Sequence, residues 1–212
     1  MLDEGVPDDE ALRSLGDLRF VDRWLGNRYA FRSSVLPYLD SRGRILDVGC
    51  GSGDVLADLR LAAGGEVLAV GADLKFLHLT AAPAGIARVV ANAHALPFAP
   101  RSFDVVVTSL FLHHFDAPEL PAVLRDLYAL ARRALVVNDL HRARVPYVFG
   151  RAFISMLFRS PVSVADGLLS IRRAFRPAEL ADAFAAAGIP DVRIRRTFPY
   201  RLIAVAERRP GS

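Results

Sequence analysis

The segment Asp-Val-Gly-Cys-Gly-Ser-Gly-Asp at 47–54 constrains this chain more than any other. It follows a short apolar run at 44–49 and precedes a helix-periodic stretch at 55–63, so it reads as the turn from a buried strand into a helix. Gly49, Gly51 and Gly53 alternate, which permits a tight turn and lets a ligand approach the backbone. A doubly wound sheet binds its nucleotide at such a turn. A dinucleotide fingerprint needs G-x-G-x-x-G, and here Asp54 stands where the third glycine belongs. Its carboxylate opposes a pyrophosphate, which a helix N-terminus otherwise attracts.

The rest of the chain alternates strand-like and helix-like patterns, the mark of helices packed on a mostly parallel sheet. Apolar runs at 66–73, 87–92, 103–110 and 133–140 have the length of buried strands, with polar residues at their C-terminal ends. Helices are expected at 74–81, 120–131 and 178–187, and one or two more at 14–39. The β-rich runs 191–198 and 201–207, parted by Pro199-Tyr200, predict an antiparallel hairpin. One connection, from His141 to Arg176, is far longer than the usual about 2–6 residues. These patterns define a single domain at 1–212, with N-terminal helices at 8–40, a core at 41–140 and 177–212, and a helical lid inserted at 141–176.

Composition narrows the class. Hydrophobic residues make up 52% of the chain and charged ones 24%, a globular balance. The single cysteine, Cys50, excludes a disulfide framework and a Cys-rich metal site, and fits a reduced cytoplasmic setting. No stretch is apolar and long enough to span a bilayer, and the acidic N-terminus is unlike a secretory signal. Charge is uneven: residues 1–120 carry 11 basic and 16 acidic side chains, and 121–212 carry 16 and 7. A basic half of this kind attracts anions or is a solvated arginine surface.

Asp73 closes the second strand, 20 residues after Gly53, where a carboxylate can accept both ribose hydroxyl hydrogens. With the glycine loop, Asp73, the run Asn92-Ala-His-Ala-Leu-Pro-Phe98 and the run Phe103-Asp-Val-Val-Val-Thr-Ser-Leu-Phe-Leu-His-His-Phe115, the chain resembles the class I S-adenosylmethionine (SAM)-dependent methyltransferases. The likeness is to the small-molecule, quinone-methylase-like branch, with a weaker one over 138–175 to methylases that accompany polyketide synthases. The resemblance implies a Rossmann-like α/β fold with a seven-stranded sheet in the order 3-2-1-4-5-7-6, strand seven antiparallel. SAM carries no phosphate, so Asp54 is no obstacle to it. Asp47 supplies a carboxylate for the methionine ammonium, directly or through water, and the resemblance implies Gly49 and Gly51 along the methionine part, with Gly53 also a cofactor-binding residue. It implies Asp73 with Leu74 at the ribose, Asn92 and Ala93 beside the adenine, and Ser109 and Leu110 under the sulfonium. The family usually has Asp where this chain has Asn92, whose side-chain oxygen still accepts a hydrogen bond. Arg23, Trp24 and Arg28 are candidates to close over the SAM carboxylate.

The reaction implied is methyl transfer, leaving S-adenosylhomocysteine (SAH). It needs an aligned nucleophile and, for a phenol or enol, a base of histidine's pKa. His113 and His114 follow strand four, and either is a candidate base. Asp139 and His141 end strand five at the same edge, where the Asp can orient the imidazole two residues on. His78 and His94 read as helix-surface and loop residues. No spacing matches a metal site, so none is expected. Thr108-Ser-Leu-Phe111 departs from the Asn/Asp-Pro-Pro-Tyr/Phe signature of nucleic-acid amino-group methylation, so nucleic acid is not the expected partner. Phe149, Phe153, Met156, Leu157 and Phe158 suit the walls of an aromatic acceptor, and Arg144, Arg151, Arg159, Arg172 and Arg173 suit an anion. O-methylation of a phenolic or polyketide-type small molecule is the first expectation, and C-methylation of an aromatic or quinone ring the second. An NAD-dependent oxidoreductase, a SAM-binding protein without transfer activity and a membrane-surface role are the rivals.

Overall fold

The computed structural model describes residues 28–64, 66–143 and 161–208. Seven strands, β1 (Arg44–Val48), β2 (Leu68–Asp73), β3 (Ile86–Val90), β4 (Phe103–Ser109), β5 (Ala131–Leu140), β6 (Val192–Thr197) and β7 (Arg201–Glu207), form one sheet. Their order is β3-β2-β1-β4-β5-β7-β6, as expected. β1 to β5 run parallel, and β7 lies antiparallel between β5 and β6, with Leu140 opposite Arg201.

The central strands are buried on both faces, which explains their unbroken apolar runs. Along β1 and β4 the pleat sends Ile45, Val105 and Val107 to one face and Leu46, Val48 and Val106 to the other. On the first face they meet Phe31 and Val35 of α1 (Arg28–Val35) and Leu56 and Leu59 of α2 (Asp54–Ala62). A further helix, α3 (Phe76–Thr80), follows β2 and buries Leu79. On the second face lie α4 (Leu120–Leu130) and α6 (Pro177–Ala186); between them in sequence is α5 (Pro161–Arg173). α4 buries Leu120, Val123, Leu124, Leu127 and Leu130, a helical stripe of three-and-four spacing. Each such side chain contributes about 1.5–3 kcal/mol of transfer free energy. Pro177 opens α6, and the Glu179 carboxylate accepts a hydrogen bond from the Arg176 N–H at 2.9 Å, satisfying an N-terminal donor.

Among the described residues, several arginines of the C-terminal half are engaged within the protein. On the edge strand β6, Arg193 reaches Glu207 and Tyr38, while Arg195 donates to the Ala30 carbonyl and to Ser34. These contacts fasten β6 to α1 and leave a charged edge, which discourages pairing with another sheet. Arg142 pairs with Glu179, and Arg133 with Asp40. Expectations placed on Arg23, Trp24 and the insert residues Arg144, Phe149, Arg151, Phe153, Met156, Leu157, Phe158 and Arg159 lie outside the described residues. Among the described residues no helix is long and apolar enough to cross a membrane.

Candidate active site

β1 is flanked by β2 and β4, so strand order reverses beside it, and the loop after β1 opens at the switch point of the sheet. The N–H groups of Gly49 and Cys50 both donate to the Ala72 carbonyl, at 2.9 and 3.2 Å, tying that loop to the end of β2. Gly49, Gly51 and Gly53 have φ of 71°, 53° and 68°, the left-handed region that glycine enters without penalty. A Cβ on Gly49 would stand 2.2 Å from Phe111 Cδ2, whereas one on Gly51 would meet nothing within 4 Å. One glycine admits an aromatic ring and the other faces open space. Asp47 is buried at the end of β1, and the Ser52 hydroxyl donates to Asp54 Oδ2.

Asp73, at the tip of β2, is held by two backbone donors and lies beside an imidazole. Gly51 N–H reaches Oδ2 at 2.8 Å, Lys75 N–H reaches Oδ1 at 2.9 Å, and His78 Nδ1 lies 3.4 Å from Oδ1. Burial pushes this carboxyl up, but His78 and the two backbone donors outweigh it and hold the group below the ordinary carboxylate range. Leu74 beside it is exposed. Past β3, Asn92 Oδ1 accepts the His94 N–H at 3.0 Å in a local turn, and Ala93 is buried beneath it. Burial first, then Asp47 and Asp73, push the Cys50 thiol far up, which leaves it neutral and unreactive.

At the ends of β4 and β5 the parallel register sets Ser109 opposite Asn138. Asn138 Nδ2 donates to Ser109 Oγ at 3.0 Å, and Leu110, at φ 56°, donates its N–H to the Asn138 carbonyl at 2.8 Å. This strained residue turns the chain into Phe111 and a 3-10 turn over Leu112–His114. His113 is buried with Nδ1 2.7 Å from Asp139 Oδ1, and Asp139 is fully buried. Burial pushes the Asp139 carboxyl up, and the His113 contact, the Leu140 N–H and the Arg201 charge pull it below the ordinary range. The anion is the form that stands there. Arg201, first residue of β7, is itself buried. The Asp139–His141 pairing expected from sequence is therefore not formed: Asp139 faces His113 across the sheet, and His141 sits in a bridge to Phe175 with its N–H on the Tyr200 carbonyl. Burial and then Arg196 lower the His141 imidazole. His114 keeps exposed surface, and its ring lies 4.3 Å from that of His113. Desolvation by the surrounding protein, then His113, bring it down to about 4, so it is neutral at pH 7.

The structure thus gathers the glycine loop, Asp73, Ser109, Leu110 and the His113–Asp139 pair at one edge of the sheet, and leaves His141 apart from Asp139. Sequence reasoning passed over Phe111, Arg201 and the inward turn of His78. Phe111 stood inside a quoted motif, but nothing in its spacing marked it as the neighbour of Gly49. Among the described residues no three His, Cys, Asp or Glu side chains converge to hold a metal ion.

A seven-stranded sheet of this order, with a glycine loop and an acidic strand end at its switch point, is the Rossmann-like methyltransferase architecture. Residues 45–134 match the model of a methyltransferase domain family. A demethylmenaquinone methyltransferase of Roseiflexus sp. is 30% identical, the match covering 78% of this chain and 73% of that protein, and one of Roseiflexus castenholzii gives the same figures. Among solved structures, a SAM-dependent methyltransferase from Aquifex aeolicus shares the fold at TM-score 0.63 and 17% identity, covering 83% of this chain and 88% of the other. A magnesium protoporphyrin IX methyltransferase from Synechocystis, solved with bound SAH, does so at 0.58 and 21%, covering 87% and 84%. The chain belongs to the class I SAM-dependent methyltransferases, and SAM is its cofactor. The residues present fit that molecule: open space stands over Gly51, and the anionic Asp73 carboxylate lies beside it.

Proposed function

We propose that this enzyme methylates a ring position of a small aromatic acceptor of quinone or hydroquinone type, with His113 as general base. The observation that carries the reading is the buried 2.7 Å contact between His113 Nδ1 and Asp139 Oδ1, directly after the Ser109–Leu110 turn. An anionic Asp139 keeps the proton on Nδ1 and leaves Nε2 as the acceptor. Asp47, Gly49, Gly51, Gly53, Asp73, Leu74, Asn92, Ala93, Ser109 and Leu110 hold the cofactor. SAM supplies a methyl carbon already activated by a positively charged sulfur. His113 Nε2 takes the hydroxyl proton of the acceptor, which raises the nucleophilicity of the ring carbon beside that oxygen. Transfer leaves the ring as its keto tautomer; loss of the C–H proton to solvent restores the aromatic ring as a phenolate, which takes back the proton held on His113, so SAH and one proton are released. The demethylmenaquinone methyltransferase relatives favour carbon over oxygen. Methylation of a phenolic oxygen is the second reading, because the same base would prepare it.

The test is to incubate the protein with isotopically methyl-labelled SAM and, separately, a short-chain naphthohydroquinone and a simple polyphenol. Long-range carbon–proton NMR correlations then locate the methyl. A ring C-methyl on the hydroquinone supports the proposal, and a methoxy product moves the assignment to oxygen. SAH release that no acceptor stimulates overturns both.

His114 separates the two candidate bases. As a neutral, weakly basic ring tilted at 36° against that of His113, it contributes less than the about 10²–10⁴-fold of a general base. His114→Ala is expected to leave SAH affinity unchanged in calorimetric titration and to slow turnover by less than about tenfold. A loss of about 10²-fold or more would transfer the role of base from His113 to His114.

A further inference from the structure

The chain that leaves β5 after His141 returns through α5, and the last residue of that helix, Arg173, meets the 3-10 turn that carries His113 and His114. Arg173 Nη1 donates to the His114 carbonyl at 3.4 Å, and Nη2 lies 3.7 Å from Asp116 Oδ1. The sequence offered this arginine to an anion; in the structure the guanidinium serves the enzyme's own turn.

A single 3-10 turn holds itself weakly. Here the His114 N–H rests on the Phe111 carbonyl and the Phe115 N–H on the Leu112 carbonyl, both at 3.1 Å, and the strained Leu110 stands before them. The turn is therefore held from outside. At its entry the Leu110 N–H donates to the Asn138 carbonyl at 2.8 Å. In its middle Asp139 Oδ2 accepts the His113 N–H at 3.4 Å while Oδ1 faces Nδ1 at 2.7 Å. At its exit the His114 carbonyl, of the kind a helical end leaves unsatisfied, takes Arg173.

Entry and middle are held by β5, and the exit is held from the same place. Two residues after Arg173, Phe175 is buried, with its N–H on the Leu140 carbonyl at 3.1 Å and its carbonyl on the Arg142 N–H at 2.8 Å. A parallel bridge pairs it with His141. Arg173 is thus rooted at the end of the strand that carries Asn138 and Asp139. The pair with Asp116 has side chains 29% and 71% exposed, so it stabilises little by itself. Its effect is directional: a planar guanidinium donates along fixed directions, and Asp116 holds its orientation.

We propose that Arg173 is a positioning residue for the general base: by holding the His114 carbonyl it keeps the turn seated on β5, and so keeps His113 Nδ1 on Asp139. This rests on the reading of His113 as base given above. Without Arg173 the turn lifts at its exit, the contact with Asp139 opens, and the imidazole proton gains access to Nε2. The glycine loop and Asp73 belong to β1 and β2, on the far side of β4, so cofactor binding stays intact.

The experiment is nitrogen–proton NMR of the full chain, isotopically labelled at histidine, for wild type, Arg173→Ala, Arg173→Lys and Asp116→Asn. Wild type is expected to show the His113 proton on Nδ1, in slow exchange with water. Arg173→Ala is expected to speed that exchange about tenfold, as the loss of one hydrogen bond from a charged donor implies, and to place part of the proton on Nε2. Arg173→Lys keeps the charge without the fork and is expected to lie between them. Asp116→Asn is expected to quicken the exchange by a smaller factor, and it carries the test should Arg173→Ala fail to fold. With labelled SAM and the naphthohydroquinone, Arg173→Ala is expected to lower kcat about tenfold at unchanged SAH affinity, and to cost almost nothing further in a His113→Ala background. Unchanged His113 exchange in Arg173→Ala, or an equal change at His78 and His94 outside the turn, overturns the proposal and leaves the base reading standing. A rate loss that persists in full without His113 does the same. If the wild-type His113 carries its proton on Nε2, the base reading falls, and the role of Arg173 with it.

Discussion

Gly49→Ala is expected to abolish SAH binding and to lower the thermal midpoint by about 4–24 °C. Two costs coincide at this position. The residue sits at φ 71°, where a side chain costs about 1–3 kcal/mol. Its new Cβ would stand 2.2, 2.3 and 2.7 Å from Cδ2, Cγ and Cε2 of Phe111. Those are adjacent atoms of a rigid ring, packed in turn at 5.1 Å edge-to-face against Phe115, so the ring cannot slide aside freely. Overpacking of this kind costs about another 1–3 kcal/mol. The Phe111→Ala background should return the second part and leave the first.

Gly51→Ala supplies the contrast that separates stability from binding. It also sits at positive φ, 53°, but its Cβ would meet nothing within 4 Å. Only the backbone cost of about 1–3 kcal/mol applies, so a folded protein survives, while the methyl stands where the cofactor loop faces open space. SAH titration and differential scanning calorimetry on both variants check the pair. Full binding by Gly51→Ala would remove this loop from the cofactor site, and an unchanged midpoint for Gly49→Ala would contradict the packing of Phe111 on it.

What was legible in the sequence, and what was not, divides along the range of the interactions. The strand at 44–49 and the helix at 55–63 were readable because apolar period and glycine punctuation are local, and the structure places them at Arg44–Val48 and Asp54–Ala62. The hairpin was readable for the same reason, since two β-rich runs are parted by Pro199-Tyr200. The strand order came from the family resemblance. The partner of Asp139 was not readable: sequence proximity pointed to His141, but the parallel pairing of β4 with β5 brings up His113, 26 residues away. His78 was missed because the expected helix at 74–81 is shorter in the structure, Phe76–Thr80, and the turn before it directs the ring back to Asp73.

Asp139→Asn is expected to lower turnover by about 10²–10⁴-fold while SAH affinity stays close to that of the wild type. The substitution keeps the shape and removes the charge. In the native pair, Asp139 accepts the Nδ1 proton of His113 at 2.7 Å, which frees Nε2 to take a proton. An amide can present its NH₂ to Nδ1 instead, which places the imidazole proton on Nε2 and removes the acceptor. The change also leaves Arg201, buried and close enough to lower the Asp139 carboxyl, beside a neutral group. Removing the anion also removes a favourable interaction with that buried cation, so the pH dependence of stability is a second readout. Because folding depresses the Asp139 pKa, the pair contributes its full stabilisation above the unfolded value of about 3.9. The contribution is lost as pH falls through the lower folded value. Asn has no such titration, so the acid limb of the stability curve should flatten in the variant. Single-turnover rates with labelled SAM separate the chemical step from product release. Wild-type turnover in Asp139→Asn would remove the His113–Asp139 pair from the chemistry. A loss of SAH affinity matching the loss of rate would make the pair a structural support of the cofactor loop instead of a base.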